Sequence, residues 1–127
     1  MNILIDSSVW IDYFRGGQRS EELNLLIEQN LICTNDLILA ELIPSLLARN
    51  HLKVVHLLSS IRNIPLRINW DEIIAYQTNC IKSGINKVGI PDLIILDNLI
   101  QKNLVLFTLD KHFDLIQNII PFKLLHK

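Results

Sequence analysis

The feature that most constrains this chain is an alternation of short apolar runs of strand length with segments of helical spacing. "NILI" (2–5) precedes "SSVWIDYFR", "LICT" (31–34) precedes "DLILAELIPSLLARN", "LVLFT" (104–108) precedes "DKHFDLIQN", and "PFKLL" (121–125) closes the series. Strands read as unbroken apolar runs when helices cover both faces of a parallel sheet. The pattern therefore predicts an α/β fold: a three-layer α/β/α sandwich with a mainly parallel central sheet. In such sheets the site lies at the carboxyl ends of the strands.

The remaining segments fit between these units. Ser20 is placed to cap "EELNLLIEQN", with Glu21 and Glu22 at the positive end of the helix dipole. "LKVVHLLSSI" and "WDEIIAYQTNCIKSG" read as helices, the second ended by Gly84, and "PDLIILDNLIQKN" as a helix begun by Pro91. Gly16-Gly17 stops the first helix, "IPLRI" (64–68) is a candidate strand, and Pro44 predicts a kink or restart. No linker or repeat divides residues 1–127, so one domain is expected.

Half of the 127 residues are apolar and a fifth are charged, which suits a packed core rather than disorder. Cys33 and Cys80 lie far apart without metal-ligand spacing, so two buried thiols in a reducing compartment are expected. No secretory leader and no apolar run of roughly 20 residues is visible, which makes a cytoplasmic protein with no membrane partner the expectation. A net charge of −1 argues against a surface coated with phosphate-binding residues. If bound cations neutralised four of the 13 acids, however, 12 basic residues would face nine acidic ones.

Four acids merit attention. Asp6 follows the first strand and precedes a helix, so a helix cap and a ligand are both open, with Ser7 or Ser8 able to cap in its place. Glu41 has Leu37, Ile38, Pro44 and Ser45 three and four positions away, none of them basic. On a buried helix it would be an unpaired carboxylate, which is costly unless a cation resolves it; at a helix rim it could reach water. At about 100° per residue, Ile95, Leu99, Leu96, Ile100 and Leu93 all fall within about 100° of Asp92. Asp92 thus sits in the middle of an apolar face, whereas Asp97 falls on the polar side and is expected to be a solvated surface acid. Asp110 follows "LVLFT" and could cap the next helix, with Thr108 two residues before it.

Asp6 and Asp110 follow strands, and Glu41 and Asp92 lie near helix starts that abut the same sheet edge. Four carboxylates in one pocket raise one another's pKa values, and hard divalent cations with oxygen ligands, Mg²⁺ or Mn²⁺, are the natural resolution. His51, His56, His112 and His126 show no ligand spacing for zinc, and at least three are expected at the surface.

Four blocks in this order, "ILIDSSVWIDYFRG", "DLILAEL", "GIPDLIILDNLI" and "LFTLDKHF", resemble the PIN-domain nucleases, and among them the VapC-type toxins of toxin–antitoxin pairs. Pro44 so soon after Glu41, and Asp97 where a small apolar residue is frequent, depart from the common pattern. The resemblance implies a metal-dependent endoribonuclease leaving 5′-phosphate and 3′-hydroxyl ends. It maps the acidic quartet onto Asp6, Glu41, Asp92 and Asp110 as catalytic residues and ligands of one or two Mg²⁺ or Mn²⁺ ions. Ser8 and Thr108 become supporting hydroxyls, with Ser7 left as the cap. The resemblance further implies a homodimer and a VapB-like antitoxin that inserts a segment near the acidic groove, and the crowding of Trp10, Tyr13 and Phe14 on one short helix is compatible with exposed apolar surface.

RNA contacts must come from basic residues near the strand ends, for which Arg15, Lys111 and Lys87 are the candidates. Two other readings compete. One is a PIN-like module that binds RNA or protein without cutting. The other is a phosphoryl-handling α/β enzyme, disfavoured because Ser8 stands where a phosphatase would want a second Asp and no glycine-rich phosphate loop occurs.

Overall fold

In the computed structural model, which describes residues 2–126, the first strand β1 (Ile3–Ile5) lies between β2 (Ile32–Cys33) and β3 (Val105–Phe107). With β4 (Lys123–Leu124) at the far edge the order is β2-β1-β3-β4, every pair parallel. Ile3 pairs with both Ile32 and Val105, and Ile5 with Phe107, so the register aligns the strand ends. Successive strand residues face opposite sides of a sheet. Ile3, Leu4 and Ile5 are nonetheless all buried, as are Leu106 and Phe107, so both faces are covered and the expected three layers are present.

Among the described residues seven helices make the covers: α1 (Ser7–Phe14), α2 (Ser20–Glu28), α3 (Asp36–Ala48), α4 (Leu52–Ser60), α5 (Trp70–Lys82), α6 (Ile90–Gln101) and α7 (His112–Gln117). The chain leaves β1 toward β2 in one direction, then crosses back to β3 and on to β4 in the other. Right-handed crossovers put the two sets of connections on opposite faces. The reversal falls at the carboxyl ends of β1 and β3, where open α/β sheets form their binding crevice. The core is a single cluster in which Trp10, Phe107 and Phe113 are the largest fully buried side chains.

Several local expectations are corrected. Residues 64–68 form no strand; only Thr34 and Asn63 make an isolated bridge. Pro44 does not restart its helix, because both Pro44 and the Ala40 residue whose carbonyl it cannot bond are on the exposed side, where solvent can reach the acceptor. Ser20 is the first helical residue rather than the cap, and its hydroxyl is buried without a partner. Gly16 ends α1 at φ 67° as expected. Three other helix ends use Asn30, Asn50 and Asn103 at φ 53–57°, the left-handed conformation that Asn tolerates nearly as Gly does.

Asp97 is the largest correction. It is 3% exposed, not solvated: α5 packs over the polar side of α6. Gln101 Nε2 donates to Asp97 Oδ2 at 2.8 Å and the Tyr76 hydroxyl lies 3.5 Å from Oδ1. Burial raises the Asp97 pKa above its ordinary value, and burial followed by the Asp97 charge pushes Tyr76 up to about 12.

Candidate active site at the carboxyl ends of the strands

Asp6 leaves β1 with extended backbone, φ −67° and ψ 154°, and occupies the cap position of α1. Its side chain makes no cap hydrogen bond; the backbone carbonyl instead accepts from Val9 N at 3.1 Å. Ser7 is already helical, so it is not the cap either. The buried carboxylate is held elsewhere: Ser8 Oγ donates to Oδ2 at 2.7 Å and Thr108 Oγ1 donates to the same oxygen at 2.8 Å.

Each hydroxyl has one proton and spends it on Asp6, leaving lone pairs for other donors. Leu109 N donates to Ser8 Oγ and Asp110 N to Thr108 Oγ1, both at 3.0 Å. The 3.4 Å approach of the two hydroxyls therefore has no proton left to share. The two hydroxyls thus tie the end of β1 to the loop after β3, and the loop carries Asp110.

Asp110 Oδ1 accepts from His112 N at 2.9 Å and lies 3.1 Å from His112 Nδ1, so it also braces the start of α7 as a cap would. His112 is thereby brought to the site, although no ligand spacing marked it. Its three counterparts, His51, His56 and His126, are exposed as expected.

Asp92 is half-buried at the first turn of α6, after Gly89 and Pro91. Burial raises its pKa, the charges of Asp110 and Asp6 raise it further, and His112 and the Gly89 backbone oppose them. Glu41 is mostly open to solvent, not buried as an enclosed helix would require; it sits at the rim. Partial desolvation of its carboxyl still raises its pKa above the ordinary value, followed by the charges of Asp6 and Asp92. Asp92 therefore feels the charges of both Asp6 and Asp110, and Glu41 those of Asp6 and Asp92.

A pair of buried amides, invisible to the motif reading, sets the two helices that bring Glu41 and Asp92. Asn35 caps α3, its Oδ1 accepting from Ile38 N at 2.9 Å, while its Nδ2 donates to Asn98 Oδ1 on α6 at 3.0 Å. Asn98 Nδ2 in turn donates to Pro65 O at 3.0 Å. The signal for Asn35 is present in the sequence, an Asn immediately before a helical run; no comparable signal marks Asn98.

The basic candidates divide. Arg15 shares a cleft with Glu41, and Lys111 shares one with Thr108 and Asp110. Lys87 is exposed in the loop before α6, and none of the clefts next to the acids includes it. Cys33 and Cys80 are free and buried, and burial pushes the Cys33 thiol up to about 11.

The donor set is all oxygen, which suits a hard divalent ion. Among the described residues no three His, Cys, Asp or Glu side chains close into a ready cage.

The PIN-domain family model matches residues 3–118, and the chain belongs to the PIN-domain family, a family of nucleases that generally use divalent metals. No curated protein matches the chain. Among solved structures it is similar to VapBC2 from Rickettsia felis bound to a promoter DNA fragment, at 20% identity and TM-score 0.77, covering 98% of this chain and 97% of that one. DNA-bound VapBC from Salmonella typhimurium gives 18% and 0.75, covering 98% and 96%. VapC20 of Mycobacterium tuberculosis, a toxin that cleaves the sarcin–ricin loop, gives 13% and 0.60, covering 90% and 94%. These likenesses carry the fold. Among the described residues no helix is long and apolar enough to cross a membrane.

Proposed function

We propose that the protein is a metal-dependent endoribonuclease acting as the toxin of a toxin–antitoxin pair. The observation that carries this reading is the buried Asp6 carboxylate held on one oxygen by Ser8 and Thr108, with Glu41 and Asp92 in reach of its charge and Asp110 in reach of Asp92. Similarity to solved VapBC structures supports the toxin assignment, and the sarcin–ricin-loop-cleaving relative supports RNA as the substrate class.

Asp6, Asp92 and Glu41 would hold one or two Mg²⁺ or Mn²⁺ ions, with Asp110 completing the acidic centre. The ions would supply a Lewis acid for the phosphate and an activated water. Asp6 is fixed because both hydroxyl protons point at Oδ2, so its other oxygen remains for a ligand. Asp110 is oriented through His112 N and the Thr108 hydroxyl. Arg15, Lys111 and Lys87 are proposed to steer the phosphate backbone, Arg15 and Lys111 from clefts that include an acid of the quartet.

The partners proposed are RNA, a VapB-like antitoxin and a second copy of the chain, in the cytoplasm. Trp10 is fully buried and so cannot serve an interface. A homodimer is better supported by Trp70, Ile74 and Ile81, 57–62% exposed along α5, with Ile90 beside them lining one groove. Sequencing RNA ends after brief expression of the protein beside its Asp6→Ala variant tests the reading. New 5′-phosphate ends at defined sites, absent with the variant, are expected; identical end profiles from both would overturn it.

A further inference from the structure

Between α1 and α3 lies a cleft of about 300 Å³ whose lining includes Ile11, Phe14, Arg15, Glu41, Ser45 and Arg49. Among the described residues neither the Arg15 nor the Arg49 guanidinium makes an ion pair or a side-chain hydrogen bond, unlike Arg19, which pairs with Glu22 at 3.5 Å. Two free cations in one cleft, with Glu41 as its acid, describe a surface short of negative partners.

Phe14 adds an aromatic platform. Its ring stacks on the buried Trp10 at 5.9 Å and 26°, and meets Tyr13 edge-on at 6.1 Å, so it is fixed from behind; it remains 36% exposed. Ile11, 42% exposed, extends the apolar floor. An immobilised aromatic face with free guanidinium groups in the same cleft is how proteins hold unpaired nucleotides, base on ring and phosphate on Arg.

Building on the ribonuclease reading above, we infer that this cleft is a nucleotide subsite for single-stranded RNA. Phe14 stacks a base one or a few nucleotides from the scissile phosphate, and Arg15 and Arg49 bind the adjoining phosphates. RNA is favoured over a protein segment because Glu41 belongs both to this cleft and to the acidic centre. A strand whose phosphate sits over Asp6 and Asp92 and continues past Glu41 enters the cleft.

The test uses the full chain carrying Asp92→Asn to prevent turnover, with a fluorescent single-stranded RNA of random sequence as probe and anisotropy read over a KCl series with Mg²⁺ present. Phe14→Leu is expected to weaken binding by at least about 5-fold, and Phe14→Trp to keep it, since stacking is what is lost and retained. Arg49→Gln is expected to lower the slope of log affinity against log salt by about 0.7, the value for one phosphate contact to a single strand. Both substituted side chains are exposed, and circular dichroism checks that the fold survives. Unchanged affinity and slope in both variants, while the parent binds RNA, would overturn the subsite and leave the nuclease reading standing; so would loss of binding to a protein partner with RNA affinity intact. A parent that fails to bind overturns the subsite, and it takes the nuclease reading with it only if the unsubstituted protein also fails to cut RNA.

Discussion

The Thr108 hydroxyl lies 2.8 Å from Oδ2 of Asp6, a contact between residues 102 positions apart that joins the ends of β1 and β3. Thr108 also accepts from Asp110 N at 3.0 Å, so one hydroxyl positions two acids. Thr108→Val keeps the shape and removes both bonds. A loss of about 10- to 100-fold in Mn²⁺ affinity or cleavage rate is expected, as for groups that orient metal ligands, with Thr108→Ser retaining most of it. Isothermal titration with Mn²⁺ checks this, and equal affinities for Val and Thr would refute it.

Asn35 and Asn98 fasten α3 to α6 with both side chains buried, at 0% and 2% exposure. Asn98→Leu leaves Asn35 Nδ2 and Pro65 O without partners inside the protein. Pro65 is exposed and can turn its carbonyl to solvent, but the buried Asn35 amide so stranded costs about 1–3 kcal/mol. Urea unfolding should show a loss in that range, and a double-mutant cycle with Asn35→Ala should show coupling, because the two residues share one bond.

Glu41 and Asp92 have native pKa values raised above those of the unfolded chain. Between the unfolded and the raised values the native state therefore binds more protons, so without metal these two groups favour folding most at acid pH. That contribution declines as pH rises through the raised values. Metal-free Asp92→Asn should accordingly melt about 1–4 °C above the metal-free parent at pH 7. Added Mn²⁺ should raise the parent's melting temperature more than the variant's. A variant that melts below the parent at pH 7 and gains equally from Mn²⁺ contradicts this assignment.

Ile74 is 62% exposed in the middle of the apolar strip on α5. If that strip joins two copies, Ile74→Glu should shift sedimentation from dimer to monomer without changing the circular dichroism of the fold. A parent that sediments as a monomer would remove this interface.

Much of the site could be read in the chain because its acids obey rules of position. Asp6 and Asp110 end strands, and Asp92 interrupts an apolar face, so direction and place alone mark them. Glu41 is legible only in part: the absence of a basic neighbour three or four positions away marks it, yet that spacing cannot tell a rim from an interior, and the side chain lies at the rim. Asp97 and Asn98 escaped because a helix has no fixed wet side. The polar face of α6 is covered by α5 and by the segment around Pro65, and its polar groups are satisfied by Tyr76, Gln101 and Asn35. The segment 64–68 has strand-like residues but no neighbouring strand to pair with beyond the Thr34–Asn63 bridge, and pairing is a tertiary fact.

The most direct test is cleavage of a defined single-stranded RNA by the purified protein with Mg²⁺ or Mn²⁺, beside EDTA and beside Asp92→Asn. Endonucleolytic products with 5′-phosphate ends that depend on the metal, and a rate at least about 100-fold lower for Asp92→Asn, are expected. Full metal-dependent activity in Asp92→Asn, or equal cleavage in EDTA, would contradict the assignment of the four carboxylates as the catalytic metal centre.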